Sequence, residues 1–260
     1  MIYEVTMSQL EASVLFRKVN AQMIPQIGGL DLDLLAIPTE LLHLQEPQLE
    51  RAGYLEERSV SEPYTLTKEI AAIFQTFNEL KYALLISEHE QESACIVSER
   101  YAVAYTVPEP EKITFTRMSL AEELQSYLDA KIVVMDSSSV SGAKVPIDFD
   151  AFNTISNQVN KAVVYKQKNT GIQALRQVMP EEMAKGFYEM YSDSHEILVV
   201  RAFVREKSFT EDVIIFQSSQ RIYQFHSEQL TNYEIMPAAT AEVRSAIDRL
   251  LRPMIECLPQ

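Results

Sequence analysis

Residues 69–86 read EIAAIFQTFNELKYALLI, and residues 182–199 read EMAKGFYEMYSDSHEILV. At an offset of 113 residues the two stretches align at the following positions: Glu69-Ile70-Ala71 with Glu182-Met183-Ala184, Phe74 with Phe187, and Leu84-Leu85-Ile86 with Ile197-Leu198-Val199. In each stretch, apolar residues at helical spacing are followed by a short apolar run, which predicts a helix and then a strand. We infer an internal duplication.

The same order of elements continues beyond both stretches. Short segments rich in β-branched and aromatic residues, separated by turn-like or charged residues, predict four strands after each helix and a further helix after the strands. In the first copy, Ser119 and Glu122 match a capping box at the start of that further helix. The offset grows to about 121 where Ser98-Glu99-Arg100 meets Ser219-Gln220-Arg221. The second copy is therefore expected to have a longer first hairpin.

These elements predict an α+β fold in which two helix–strands–helix units pair their antiparallel strands about a pseudo-twofold axis. We expect one domain over residues 1–260, built of repeat 1 (about 1–130) and repeat 2 (about 145–260). The Ser/Gly-rich composition of residues 136–143 predicts a flexible link between the repeats.

The charge balance narrows the classes of partner. The chain has 23 Lys and Arg against 37 Asp and Glu, a net charge of −14. Nucleic acid and anionic membranes attract clustered positive charge, so neither is expected as a partner. We find neither a signal peptide at Met1-Ile2-Tyr3-Glu4 nor an apolar run near the ~18 residues of a spanning helix, and therefore expect a cytoplasmic protein.

The residues that carry enzyme chemistry form no recognisable motif. The four histidines are scattered, the two cysteines lie far apart, and six glycines provide no phosphate-binding loop. The chain also has no G-x-S-x-G nucleophile elbow. We therefore expect no metal, no cofactor and no catalytic residues.

Two features indicate protein binding. Met179, Met183 and Met190 form a stripe with Phe187 along one predicted helix, and methionine packs adaptably on binding surfaces. Such a stripe is also typical of a hydrophobic core. Residues 88–92 are the densest point of the acidic first half; this run could steer a basic partner, and it is equally typical of a solvated hairpin end.

Four stretches of the chain resemble segments of a known family: YEVTMSQL at 3–10, LERAGYL at 49–55, VPIDFDAF at 145–152 and GIQALRQVMP at 171–180. On these stretches the chain resembles the EspG family, the cytosolic chaperones of type VII (ESX) secretion systems. The chain is poor in Gly and rich in Glu, Gln, Ile and Tyr, whereas actinobacterial members are rich in Ala, Gly and Arg. The composition therefore suggests a Gram-positive relative from the Firmicutes.

The resemblance implies a central antiparallel sheet with two helical bundles, and a non-enzymatic chaperone or adaptor. Its partner would be an α-helical secretion substrate, a helical hairpin protein of the WXG100, LXG or PE–PPE kind, which it keeps soluble and targets for export. By the same resemblance, the partner would contact two hairpin ends and the helix with the methionine stripe, with a homodimer left open. The residues so assigned are Glu88, His89, Glu90, Gln91, Arg205, Glu206, Lys207, Met183 and Met190.

Three alternatives stay open at this point. An immunity or inhibitor protein could neutralise a basic toxin domain through the acidic surface, in a salt-sensitive way. A winged-helix DNA binder could use residues 49–55 as its turn, although the chain has no basic recognition helix for phosphate contacts. The third alternative is an enzyme of unrecognised type.

Overall fold

The computed structural model describes residues 2–21, 24–30, 39–57, 64–88, 91–193, 195–205, 209–228 and 232–260. These residues divide into two compact units. Unit 1 comprises Met1–Leu85, Gln91–Leu128 and Pro253–Gln260, and unit 2 comprises Ile86–Glu90 and Asp129–Arg252.

Unit 1 contains an antiparallel set of five strands. The elements that start within it are β1 (Tyr3–Ser8), α1 (Gln9–Lys18), α2 (Thr39–Arg51), β2 (Leu55–Glu57), β3 (Tyr64–Leu66), α3 (Lys68–Thr76), β4 (Tyr82–Glu88), β5 (Gln91–Val97), β6 (Ala102–Thr106), β7 (Lys112–Met118) and α4 (Ala121–Lys131). The strand order is β1-β7-β6-β5-β4, and β2 and β3 form a separate pair.

Unit 2 has the same arrangement of strands. The elements that start within it are β8 (Val145–Ile147), α5 (Phe149–Val164), α6 (Lys168–Leu175), α7 (Glu181–Ser192), β9 (Glu196–Val204), β10 (Phe209–Gln217), β11 (Ile222–Glu228), β12 (Asn232–Pro237) and α8 (Thr240–Ile255). The strand order is β9-β10-β11-β12-β8. Antiparallel pairing in both units confirms the predicted α+β class.

The two units share the order of their five paired strands and the helices around them, whereas the pair β2–β3 of unit 1 has no counterpart among the described elements of unit 2. Read from β8, the order in unit 2 is β8-β12-β11-β10-β9, which matches β1-β7-β6-β5-β4 in unit 1. The repeat includes an opening strand and helix, β1 with α1 and β8 with α5, in addition to the predicted helix–strands–helix order. The first hairpin is longer in the second copy, as predicted: β9 and β10 have nine residues each, whereas β4 and β5 have seven.

Aromatic side chains fill the core of each unit. In unit 1, the ring of Phe74 lies 4.8 Å from Phe16 and 5.2 Å from Phe115, and all three residues are buried. In unit 2, Phe187 lies 5.7 Å from Phe152 and makes further ring contacts with β10 and β11. Edge-to-face and tilted rings of this kind stabilise a core beyond the area that they bury. Phe74 and Phe187 are the two residues that the sequence alignment pairs.

The segment between the repeats is attached to unit 2. Residues 132–144 form no helix or strand. Hydrogen bonds nevertheless hold the segment: the amide of Met135 donates to Gln217 (2.9 Å), that of Ser137 to Thr240 (3.1 Å), and that of Gly142 to the carbonyl of Pro237 (2.9 Å). The composition of residues 136–143 does not reveal these bonds, because their acceptors are distant in sequence.

We expect Gly171→Ala to lower the free energy of unfolding by about 1–3 kcal/mol, the usual cost of overpacking a core. A Cβ at Gly171 would lie closer than 3.0 Å to the ring of Tyr188. That ring is held in turn, because Tyr188 donates its hydroxyl hydrogen to the carbonyl of Ala162 (3.3 Å). Chemical denaturation of the two variants Gly171→Ala and Lys168→Ala measures the effect. The exposed Lys168 on the same helix is the control, and an equal response of both variants would contradict the packing argument.

Candidate partner-binding surface

The two predicted hairpin ends are only partly described by the structure. Glu88 ends β4 and is half-buried, and Gln91 begins β5 and is exposed. Arg205 follows β9 and is exposed. The other predicted hairpin contacts lie outside the described residues: His89, Glu90, Glu206 and Lys207.

The acidic run at residues 88–92 is not wholly a free surface. The carboxylate of Glu92 accepts a hydrogen bond from the amide of Gly28 in unit 1. Part of the negative charge in this run therefore holds a turn of the chain.

The structure corrects the assignment of Met190 as a partner contact. Met190 is 1% exposed in the hydrophobic core of unit 2, as is its neighbour on that face, Phe187. Helical spacing places both side chains against the strands, because a residue three positions away lies on the same helix face. Met183, one turn from Phe187, is half-buried and packs at the edge of this core.

Met183 lines an open groove in unit 2, which we call the α7 groove. Its volume is about 710 Å³. The lining residues come from the segment after residue 137, the start of α7, and the ends of β11 and β12: Ser138, Ser139, Val140, Ala143, Val145, Pro180, Glu182, Met183, Gln220, Arg221, Tyr223 and Pro237.

Hydrogen bonds and close packing shape one wall of the α7 groove. The hydroxyl groups of Ser138 and Ser139 donate to the carbonyls of Gln220 (3.4 Å) and Ile222 (3.5 Å). Gly142 packs against the ring of Pro237 so closely that a Cβ there would lie 2.9 Å from it. The wall presents Val140, whose side chain is 78% exposed. An isolated valine among serines was the only sequence signal for this wall.

The charged groups at the rim of the α7 groove are already paired. Arg221 donates to the carboxylate of Glu189 at 3.0 Å, and Lys185 donates to Glu182 at 2.9 Å. Exposed ion pairs of this kind contribute little net attraction for a charged partner. A partner would therefore be recognised mainly by the apolar surface of Val140 and Met183 and by the polar backbone groups around it. This suits the side chains of an amphipathic helix.

Burial raises the pKa of both thiols in the folded chain. Burial raises the pKa of the Cys95 thiol to about 12, so that at pH 7–8 it is almost entirely protonated. Burial also raises the pKa of the half-buried Cys257 thiol, which donates a hydrogen bond to the carbonyl of Ser98 (3.4 Å). The described residues include no group of three or more His, Cys, Asp or Glu side chains placed to hold a metal ion. No described helix could span a membrane.

Accordingly, we expect a thiol reagent to label Cys95 only after unfolding. Ellman's reagent at pH 8 should react at Cys95 at least ~100-fold more slowly in the native protein than in 6 M guanidinium chloride, because thiolate attack requires both deprotonation and access. The Cys257→Ser variant isolates the signal of Cys95. Rapid native labelling of that variant would show that β5 opens readily.

Comparison with known proteins supports the fold assignment. No protein-family model matches the chain, and no curated protein matches it. Among solved structures, the chain is similar to the Mycobacterium tuberculosis type VII secretion system chaperone EspG5, solved in complex with the PE25–PPE41 dimer. The TM-score is 0.54 and 10% of residues are identical, over 99% of this chain and 97% of that chain. The chain therefore has an EspG-like fold.

Proposed function

We propose that this protein is a non-enzymatic chaperone that binds an α-helical substrate of a type VII secretion system in the cytoplasm and keeps it soluble for export. The observation that carries the proposal is the likeness to EspG5 over nearly the full length of both chains. A fold hosts many functions, so the proposal also needs a suitable surface.

The α7 groove supplies that surface. Helical hairpins that expose apolar tips aggregate in water, and a chaperone must cover such a tip with apolar surface of its own. Met183 and Val140 both offer apolar contact in the groove, and the charged groups described at its rim are paired with one another. Adaptable packing by methionine fits a partner side chain that the groove does not match in advance.

The predicted hairpin contacts remain part of the proposal. The half-buried Glu88 and the exposed residues Gln91 and Arg205 would add polar contacts at the margin of the partner. His89, Glu90, Glu206 and Lys207 are proposed with them on the sequence alone. Polar contacts at the margin of an interface contribute less to affinity than a buried apolar centre.

Isolation of the tagged protein from the cytosol of its own host tests the proposal. A stoichiometric α-helical partner that is exported by a type VII system would support it. A basic, folded toxin domain that dissociates in high salt would instead support the immunity protein, for which the net charge of −14 is the favouring observation. The absence of any partner at low and high salt would overturn both.

We expect the double variant Met183→Glu/Val140→Glu to bind the isolated partner at least ~10-fold more weakly, a loss of about 1.4 kcal/mol or more. Two carboxylates in the α7 groove would have to lose their hydration against the apolar surface of the partner. Isothermal titration calorimetry measures the effect.

The matched control for this double variant is Asn157→Glu/Gln158→Glu, which adds the same charge at exposed positions of α5. Equal affinity losses in the two double variants would assign the effect to net charge and exclude the groove. Thermal unfolding of each variant confirms that the fold is kept.

A further inference from the structure

Residues 151–180 stand out from the rest of this acidic chain. These 30 residues contain four basic side chains and no Asp or Glu, in a protein whose net charge is −14. They cover most of α5, all of α6 and the turn between the two helices. This stretch of unit 2 therefore has a net positive charge, because it contains no acidic residue.

Two of the four basic residues are neutralised and two are not. Lys168 lies 3.1 Å from Glu189, and Arg176 lies 3.2 Å from Glu181. Lys161 and Lys166 have no carboxylate within 4.0 Å, among all the residues that the structure describes. Glu189, the acidic residue that faces this turn from α7, is already bonded to Lys168 and Arg221.

The same turn exposes two large apolar side chains. Val164 is 73% exposed and Tyr165 is 69% exposed. Helix α5 ends here, with the amide of Tyr165 donating to the carbonyl of Lys161 (2.9 Å), so that Lys161 and Tyr165 lie one above the other on one face. Lys161, Val164, Tyr165 and Lys166 are all exposed within six residues of this turn, and we call them the α5–α6 turn patch.

The backbone under this patch is held in place although its side chains are exposed. Ala162 is buried, and its carbonyl accepts the hydroxyl hydrogen of Tyr188. The amide of Gln167 donates to the same carbonyl at 2.7 Å, which closes the turn. Lys166 has φ = 54°, a left-handed conformation that favours Gly or Asn over lysine. A lysine at this position therefore costs stability that a glycine would not.

We infer that the α5–α6 turn patch is a second docking site, for an acidic amphipathic peptide segment of a protein partner. Carboxylates would pair with Lys161 and Lys166, and apolar side chains would pack on the exposed Val164 and Tyr165. The patch is distinct in composition from the α7 groove, whose rim charges are paired.

The short range of electrostatic attraction in salt favours a peptide segment over an anionic membrane as the partner. Fields decay over about 8 Å at physiological ionic strength, so a short segment at the turn responds mainly to the two lysines. A membrane extends well past the turn and meets the acidic remainder of a chain with a net charge of −14.

Fluorescence anisotropy with a defined probe tests the inference on the full chain. The probe is a fluorescein-labelled 12-residue peptide with three repeats of Glu-Glu-Leu-Phe, and a Lys-Lys-Leu-Phe peptide is its comparison. We expect the acidic probe to bind, and to bind about tenfold more weakly to Lys161→Glu/Lys166→Glu, whereas these substitutions should not weaken the binding of the comparison peptide. The control Lys144→Glu/Arg244→Glu carries the same net charge, through substitution of basic residues outside α5 and α6, and is expected to bind as the unaltered chain does.

A single variant separates binding from folding. Lys166→Gly relieves the strain of a lysine in the left-handed conformation, and is expected to keep or raise the midpoint of unfolding. The same variant should bind the acidic probe about threefold more weakly. The inference is overturned if the acidic probe does not bind, or if both charge-reversal variants bind it equally. It is also overturned if vesicles with 30% phosphatidylglycerol bind through Lys161 and Lys166 and the peptide does not. Retention of the helical client by Lys161→Glu/Lys166→Glu separates this result from the proposed chaperone function.

Discussion

Replacement of Arg201 by alanine is expected to lower the free energy of unfolding by about 3–5 kcal/mol, the usual cost of leaving a buried charge without its partner. The guanidinium of Arg201 donates two hydrogen bonds to the carboxylate of Asp212, at 2.6 and 2.8 Å. Asp212 is fully buried at 0% exposure, whereas the side chain of Arg201 is 40% exposed. Loss of the arginine therefore leaves the Asp212 carboxylate in the sheet without its charge partner.

Tyr233 completes the network but cannot replace the arginine. Its hydroxyl group donates to Asp212 at 2.9 Å. Burial, and then the adjacent Asp212 carboxylate, raise the pKa of Tyr233 to about 12, so that its hydroxyl stays a donor at neutral pH. A phenol supplies one hydrogen bond and no compensating charge.

Removal of both charges should lower the free energy of unfolding less than removal of Arg201 alone. In Arg201→Ala/Asp212→Ala no charge is left buried, and the exposed fraction of Arg201 means that the pair itself contributes modestly. Urea denaturation of the two single variants and the double variant closes a double-mutant cycle. A double variant that is less stable than Arg201→Ala would contradict the assignment of Asp212 as a buried charge.

Phe187→Ala is the second variant with a large expected effect. Its free energy of unfolding should fall by about 3–5 kcal/mol, as for other phenylalanines removed from a core. Phe187 is 1% exposed, and its ring centroid lies 5.2 Å from that of Tyr223 and 5.3 Å from that of Phe216. The truncation leaves a cavity between α7 and the strands that the surrounding rings cannot fill, because their backbone is fixed by the strand ladder.

The first copy of the repeat provides the matched comparison. Phe74 is 0% exposed and occupies the corresponding position in unit 1, against Phe16 and Phe115. Phe74→Ala should therefore lower the free energy of unfolding by a similar amount. Phe187→Leu should lower it by less than about 1.5 kcal/mol, because leucine keeps most of the side-chain volume. A loss below 1 kcal/mol for either alanine variant would contradict the central position of these rings.

Local periodicity predicted the repeated elements well. Ile70, Ile73, Phe74 and Phe77 are spaced for one helix face, and all four are at most 1% exposed. Glycine is the usual residue just after a helix, and Gly53, which follows α2, has φ = 78° with the amide of Tyr54 donating to the carbonyl of Leu49 (2.9 Å). Such features depend on neighbours within a few residues, which the sequence displays directly.

Predictions on helix starts were less accurate, because several residues can satisfy the same amides. The predicted capping box of Ser119 with Glu122 is wrong in its second member: Glu123 accepts from the amides of Ser119 (2.8 Å) and Leu120 (3.2 Å). A complete capping box occurs at Ser8 and Glu11, where residues 8–11 (SQLE) also fit the S-x-x-E pattern. Helix α2 begins at Thr39 and contains Pro47, a residue that usually interrupts a helix.

The α7 groove could not be predicted from the sequence, because its walls come from four separate segments. Val140 lies in a stretch whose composition indicated only a link, and its position depends on the bonds of neighbouring serines to the ends of β11. The methionine stripe indicated a residue of the groove at one of its ends only. Met183 reaches the groove, whereas Met190 is in the core, and helical spacing alone does not separate the edge of a buried face from its centre.

Coexpression of the isolated helical partner with and without this protein tests the proposed chaperone function most directly. The measurement is the soluble fraction of the partner and its elution in size-exclusion chromatography. We expect a soluble complex of fixed stoichiometry when both chains are present, and an aggregated partner when this protein is absent or carries Met183→Glu/Val140→Glu. A partner that is equally soluble and monodisperse without this protein would contradict the chaperone function.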